Sequence, residues 1–200
     1  MIAPQVFAAA VALLGVLGLA MVSDLRHRRI PNGLVLSGLA LAAGWHLLAA
    51  RGVWAFDPVA PGSTGLGGAL AGALILLLGF MPLYAVRALG AGDVKLMAVV
   101  GGFFGASAAA WTQLIGVSLT VLACGGVLAL LRIAAARNAR LVSGNLRRIM
   151  AGFAQRGSPV PAAAFDVRSQ TADRMPYALA IGAGTMLYLG VRWAGSITGI

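Results

Sequence analysis

The 200-residue chain contains five acids, all of them aspartate: Asp24, Asp57, Asp93, Asp166 and Asp173. Asp24 and Asp93 stand apart, because each sits at the boundary of a long apolar stretch. Carboxylates near a membrane core are costly, so each asks for a reason. Two of them at one membrane depth, on helices that can be neighbours, form a candidate aspartyl dyad. One carboxylate, ionised, takes a proton from water. The other, protonated, gives a proton to the oxygen of a scissile carbonyl. Two such groups side by side cannot both ionise easily, so the pair holds one shared proton and titrates as a pair.

Structural roles compete with this chemistry. Asp is a preferred helix N-cap, and Gly90-Ala91-Gly92-Asp93 followed by Val94-Lys95-Leu96-Met97 reads as a loop and then a capped helix. Asp24 can be a boundary residue solvated among arginines, although a carboxylate is disfavoured at a helix C-terminus. Gly90 and Gly92 lack a Cβ, and a loop that flexible lets an extended peptide dock beside the acid. Lys95 either snorkels to the headgroups or tunes the dyad. Asp57, beside Pro58, reads as a turn residue. Asp166 and Asp173 read as solvated groups near Arg168 and Arg174.

The elements that must position these acids are membrane spans. Apolar residues make up 60% of the chain and charged residues only 10%. Mean hydropathy is +0.92. A soluble globule of this size carries far more surface charge, and disorder needs low hydrophobicity. A bilayer core requires about 20 apolar residues per helix. Six stretches qualify, near Ala3–Val22, Leu34–Ala50, Leu66–Val86, Val94–Trp111, Leu114–Ile133 and Pro176–Ala194. Thr112 and Gln113 mark the expected bend between the fourth and fifth. The first stretch has no basic n-region, so it reads as a retained helix and not a cleaved signal. The expected fold is therefore all-α, a single polytopic membrane domain over residues 1–200.

Charge gives an orientation. The connections after the first, third and fifth spans, counting Lys95 at the start of the fourth, hold 13 of the 15 basic residues. The positive-inside rule puts these connections in the cytoplasm and both termini outside. The net charge of +10 thus reports topology and no nucleic-acid partner. Asp24 and Asp93 both fall on the cytoplasmic side. The long basic loop, about 134–175, carries Leu141, Leu146, Ile149, Met150 and Phe153 among its arginines. That spacing suits either an amphipathic helix on the anionic inner leaflet or a solvated loop.

Other chemistries find less support. One cysteine, Cys124, excludes an intrachain disulfide and a Cys-cluster metal site, and it reads as a small apolar filler. His27 and His46 share no readable face with acids, so no metal and no cofactor is expected. A channel would carry charges within its spans, and apart from His46 these lack them. A scaffold subunit remains open, since the small residues Gly101, Gly102, Gly105, Ala106, Gly125 and Gly126 suit close helix packing of any kind.

Asp24 followed by Ile30-Pro31-Asn32, then Gly90-Ala91-Gly92-Asp93-Val94-Lys95, resembles the prepilin peptidase, or type IV leader peptidase, family. Met175-Pro176-Tyr177-Ala178-Leu179-Ala180 with Gly182 and Gly184 extends the resemblance, which runs from about Val22 to Gly184. Members are GxGD-type aspartyl proteases of the bacterial inner membrane. The resemblance implies that Asp24 and Asp93 are catalytic. It implies that the substrate is a prepilin with a short basic leader and a hydrophobic helix, beside which Gly90, Gly92 and Lys95, from their own chemistry, are expected to bind substrate or shape the loop. Pro31 and Asn32 are expected to serve only as the turn and cap of the second span. Larger members carry paired Cys-x-x-Cys motifs in an N-terminal methyltransferase region, which is not expected here. The chain looks like the short peptidases of Tad/Flp pilus systems, with archaeal preflagellin peptidases the nearest relatives to exclude.

Overall fold

The computed structural model describes residues 4–58, 60–86, 88–108, 110–135 and 176–198. Among the described residues there are six helices: α1 (Pro4–His27), α2 (Asn32–Leu48), α3 (Gly65–Ala85), α4 (Ala91–Phe104), α5 (Trp111–Ala135) and α6 (Tyr177–Thr198). The basic loop and its candidate amphipathic segment lie outside the described residues, as do Asp166 and Asp173.

Among the described residues three helices, α1, α3 and α5, are long and apolar enough to cross a membrane. Their outward faces carry Phe7, Val11, Leu19, Leu70, Leu74, Leu78, Leu119 and Leu130, all exposed. Unpartnered apolar faces of this extent suit lipid better than water.

Helix α4 is the exception and the centre of the bundle. Its sequence is apolar all round, the mark of a buried helix. Every residue from Leu96 to Phe104 is buried. With 14 residues it is about 21 Å long, shorter than the roughly 30 Å hydrocarbon core. The expected fourth span, Val94–Trp111, is therefore too long. The helix stops at Phe104 because Gly105 takes a positive φ of 70°. The bend expected at Thr112 and Gln113 falls instead at 105–110. Both residues belong to the first turn of α5, where buried Gln113 accepts a hydrogen bond from Tyr188.

Small residues set how closely α4 sits against α3. A Cβ on Gly72 would overlap the Gly101 carbonyl oxygen, and a Cβ on Gly101 would overlap that of Gly72. The two backbones touch directly there.

The connection from α2 to α3 folds over the C-terminal end of α4. Trp54 and Phe56 are fully buried and stack on Phe104, with ring centroids 5.3 Å and 4.9 Å away. Asp57 Oδ1 accepts from the Ala60 N–H at 2.7 Å, which closes a turn. His46 ties this cap down. Its Nδ1 accepts from the Thr64 N–H at 3.2 Å, so the proton sits on Nε2 and is donated to the Phe103 carbonyl at 3.2 Å. Both ring nitrogens are satisfied in the neutral form.

Candidate active site

The opposite end of α4 carries Asp93. The helix begins at Ala91 with Gly90 as its N-cap, so Gly92 and Asp93 are its second and third residues. This corrects the expectation of a flexible glycine loop ending in an Asp cap. Asp93 instead reaches back one turn. Its Oδ2 accepts from the Gly90 N–H at 2.9 Å, while its own N–H donates to the Gly90 carbonyl at 3.1 Å. Gly90 has an ordinary φ of −81°, so its missing side chain matters for space and not for backbone freedom. A Cβ there would lie 3.0 Å from Asp93 Oδ2.

Asp24 lies in the last turn of α1. The helix closes just beyond it: the Arg28 N–H donates to the Asp24 carbonyl at 2.8 Å, and Arg28 adopts a left-handed φ of 52°. A residue at positive φ is a common helix stop, and a side chain other than glycine costs about 1 kcal/mol or more there. Ser23 Oγ reinforces the stop by donating to the Arg29 carbonyl at 2.8 Å.

The next residues lock this end of α1 against α4. A Cβ on Gly92 would lie 3.2 Å from Ile30 Cβ, so Gly92 admits the Ile30 side chain to the α4 surface. Lys95 Nζ donates to Asn32 Oδ1 at 2.9 Å. Asn32 is the first residue of α2, whose N-cap is Pro31 and receives no side-chain bond. The expected cap role of Asn32 is thus replaced by a link to α4. Lys95 sits on that link, not against either carboxylate. The Ile30-Pro31-Asn32 and Gly92–Lys95 segments are two halves of one contact.

Helix α6 closes the third side. The Ala178 N–H donates to Asp24 Oδ2 at 3.3 Å. Tyr177, one residue earlier, lies within reach of the Asp93 charge, and its ring packs where a Gly125 side chain would be. The sequence marks this turn as part of the resemblance but gives it no part in the site. Pro176 before a helix start was the available signal, but a backbone N–H leaves no trace in residue type.

These three helix ends gather Asp24, Asp93, Tyr177 and the Ala178 N–H. The Asp93 carboxyl is pushed up to about 6, first by burial and further by the charge of Asp24, against the opposing Gly90 N–H. A carboxyl in this state holds or yields a proton near neutral pH, as acid–base chemistry requires. His46 and Cys124 do not join the group. His46 is at the far end of α4, and Cys124 is on α5 beside Tyr177, so the two are not a nucleophile–base pair.

The helical fold, the lipid-facing apolar surfaces and the carboxylates at one end of a buried central helix define a polytopic membrane protein. The model of the type IV leader peptidase family matches residues 11–130, more than half of the chain. The chain belongs to that family, whose members are peptidases acting on prepilins. No curated protein and no solved structure matches it.

Proposed function

We propose that this protein is an aspartic endopeptidase that removes the short basic leader from Flp-like prepilins. Asp24 and Asp93 form the catalytic dyad. The observation that supports the reading is that the ends carrying the two acids meet: Ile30, just past Asp24, packs on Gly92, the neighbour of Asp93, and the first turn of α6 donates to Asp24. One carboxylate removes a proton from water, and the other protonates the scissile carbonyl oxygen. Gly90 and Gly92 keep side chains out of this end of α4. A peptide must be extended before cleavage, and the open end of the bundle offers it backbone groups.

On this reading the end of the bundle that carries the carboxylates faces the cytoplasm of a bacterium, with both termini outside, and the clustering of basic residues in alternate connections supports that orientation. The apolar substrate helix then stays in the bilayer, and its leader emerges beside the carboxylates. The inner leaflet's anionic lipids pair with the long basic loop.

Leader cleavage in reconstituted membranes tests the reading. Asp24→Asn and Asp93→Asn should each abolish cleavage of a prepilin while inserting normally. Asp57→Asn, confined to a turn at the far end, should retain it. Full activity of either dyad variant refutes the aspartyl mechanism.

A further inference from the structure

We propose that the seam between α3 and α5 is the groove that holds the apolar helix of the substrate, which lies antiparallel to both walls with its amino end at the carboxylates. This rests on the peptidase reading and adds to it the surface that positions the substrate within the bilayer.

Among the described residues, α4 is enclosed by a ring of five helices. Helix α3 packs on α2, α2 on α1, α1 on α6 and α6 on α5, and the last seam, from α5 back to α3, is the thinnest. A cleft of about 260 Å³ opens there. Ile75, Gly79 and Phe80 line one wall, and Ile115, Leu119 and Leu122 line the other. The Ser118 hydroxyl, also in the wall, is spent on the Leu114 carbonyl at 2.7 Å, so it asks for no polar partner from a ligand.

Both walls lead to the acids. On α5, Gly125 follows Leu122 by about one turn and seats the Tyr177 ring. Ala178, the next residue, donates its N–H to Asp24 Oδ2 at 3.3 Å. On α3, Leu83 follows Phe80 by about one turn, and its carbonyl accepts from the Leu89 N–H at 3.2 Å. Gly90, the next residue, donates to Asp93 Oδ2 at 2.9 Å. A helix in the cleft therefore points its end at the groups that hold both carboxylates.

A larger furrow, about 860 Å³, runs between α1 and α2. Size alone would favour it, but its open end is the wrong one. Gln5 at the start of α1, Leu48 at the end of α2 and Phe103 of α4 line it at the end away from Asp93. Toward Asp93 the 28–31 connection bridges α1 and α2, with Ile30 seated on Gly92. A helix in that furrow would have this connection between it and the acids. The seam between α3 and α5 is the reverse. Among the described residues, the chain at the Asp93 end passes from α1 to α2 and from α3 to α4, and does not join α3 to α5. The seam is crossed at the far end, where 105–110 leads into α5 and the Ala106 N–H donates to the Gly68 carbonyl at 2.8 Å. A substrate cut at the amino end of an apolar helix needs a seam open on the carboxylate side.

Shape and charge agree with this occupant. Residues 111–122 span about 17 Å along α5, which matches about three turns of helix. Gly79 is exposed in the wall, and an added Cβ there would meet nothing within 4 Å. That gap admits close approach of the incoming helix. The basic leader then extends past Asp24 and Asp93, a pair that carries net negative charge when it shares one proton.

Filling the gap tests the groove. Gly79→Leu adds a side chain whose Cβ meets nothing in the folded protein yet occupies the cleft. Gly44→Leu does the same in the furrow between α1 and α2 and is the control. The assay is cleavage of a Flp-like prepilin, varied as its fraction of the reconstituted lipid. Gly79→Leu should lower kcat/KM about tenfold, mostly through KM, because the groove holds substrate and does not touch the reacting bond. Gly44→Leu should match the wild type. Equal loss in both variants, or no loss in Gly79→Leu, overturns the assignment.

Crosslinking decides the question without either variant. In Asp93→Asn protein, which leaves the prepilin intact, p-benzoylphenylalanine replaces exposed Leu119 in the cleft or exposed Leu41 in the other furrow. Capture of the prepilin from position 119 and not from 41 is expected. Capture from 41 alone, from both equally or from neither overturns the groove, as does capture at 119 of only lipid or a second copy of this chain. The peptidase reading fails on different results: wild-type protein that leaves the prepilin uncut, or Asp24→Asn that cuts it.

Discussion

The Asp93 carboxyl should make the protein less stable as the pH rises, and Asp93→Asn should remove that loss. In the folded chain burial lets Asp93 keep its proton up to about pH 6, whereas an ordinary aspartate in the unfolded chain loses it near 3.8. Between these values the folded state binds more protons than the unfolded state, so stability falls as pH rises through the window. Above pH 6 the full deficit is present, and below pH 4 it vanishes. The two titrations lie about 2 pH units apart, and at about 1.4 kcal/mol per pH unit the deficit is about 3 kcal/mol. Asparagine fills nearly the same volume and can still accept from the Gly90 N–H, so it keeps the contact that holds the first turn of α4 together. The variant should therefore be inactive yet more stable by about 3 kcal/mol at pH 8, with no gain at pH 4. For a chain of this length that is roughly 6 to 12 °C in unfolding midpoint. Thermal unfolding of both proteins in detergent, followed by circular dichroism from pH 4 to 8, measures it. A difference that does not change with pH, or a variant that is less stable at pH 8, refutes the buried-acid account of Asp93.

Three further outcomes follow from the packing. Gly72→Ala should destabilise the bundle by about 1–3 kcal/mol, because its Cβ would overlap the Gly101 carbonyl and the α3 and α4 backbones would have to separate; denaturation in mixed micelles reads this. Gly92→Val should reduce leader cleavage several-fold by pushing Ile30 and the end of α1 away from α4, and adding Ile30→Ala should restore part of it; no recovery in the double variant argues against the contact as the cause. Arg28→Gly relieves a left-handed conformation worth about 1 kcal/mol but also removes the interactions of the guanidinium, so the unfolding midpoint should rise by less than that relief alone would give; a fall in stability argues that the side chain's contacts outweigh the strain.

Much of the fold was legible from residue types. Apolar run length located six helices because a membrane helix must satisfy its own backbone and present apolar side chains outward. The two aspartates were legible for the complementary reason, as costly groups at the edges of such runs. The boundaries of α4 were not. Composition treats Val94–Trp111 as one apolar stretch, yet Gly105 turns the chain with a positive φ that glycine permits and its letter does not reveal. The same limit hid the environment of Asp93. Its spacing suggested a cap, but whether it is the N-cap or the third helical residue depends on where the backbone starts to coil.

What the sequence alone determined was an all-helical apolar chain, the side on which its charges cluster, and the two acids and motif segments that resemble one peptidase family. Those properties are local or additive, so they can be read position by position. The tertiary structure decided which groups share a site. It set Ile30 on Gly92 and Lys95 on Asn32, and it brought the Ala178 N–H from 154 residues away to Asp24. Contacts of that range depend on how the helices pack around α4. The donor that reaches Asp24 is a backbone amide, which every residue but proline carries, so no residue letter could have marked it.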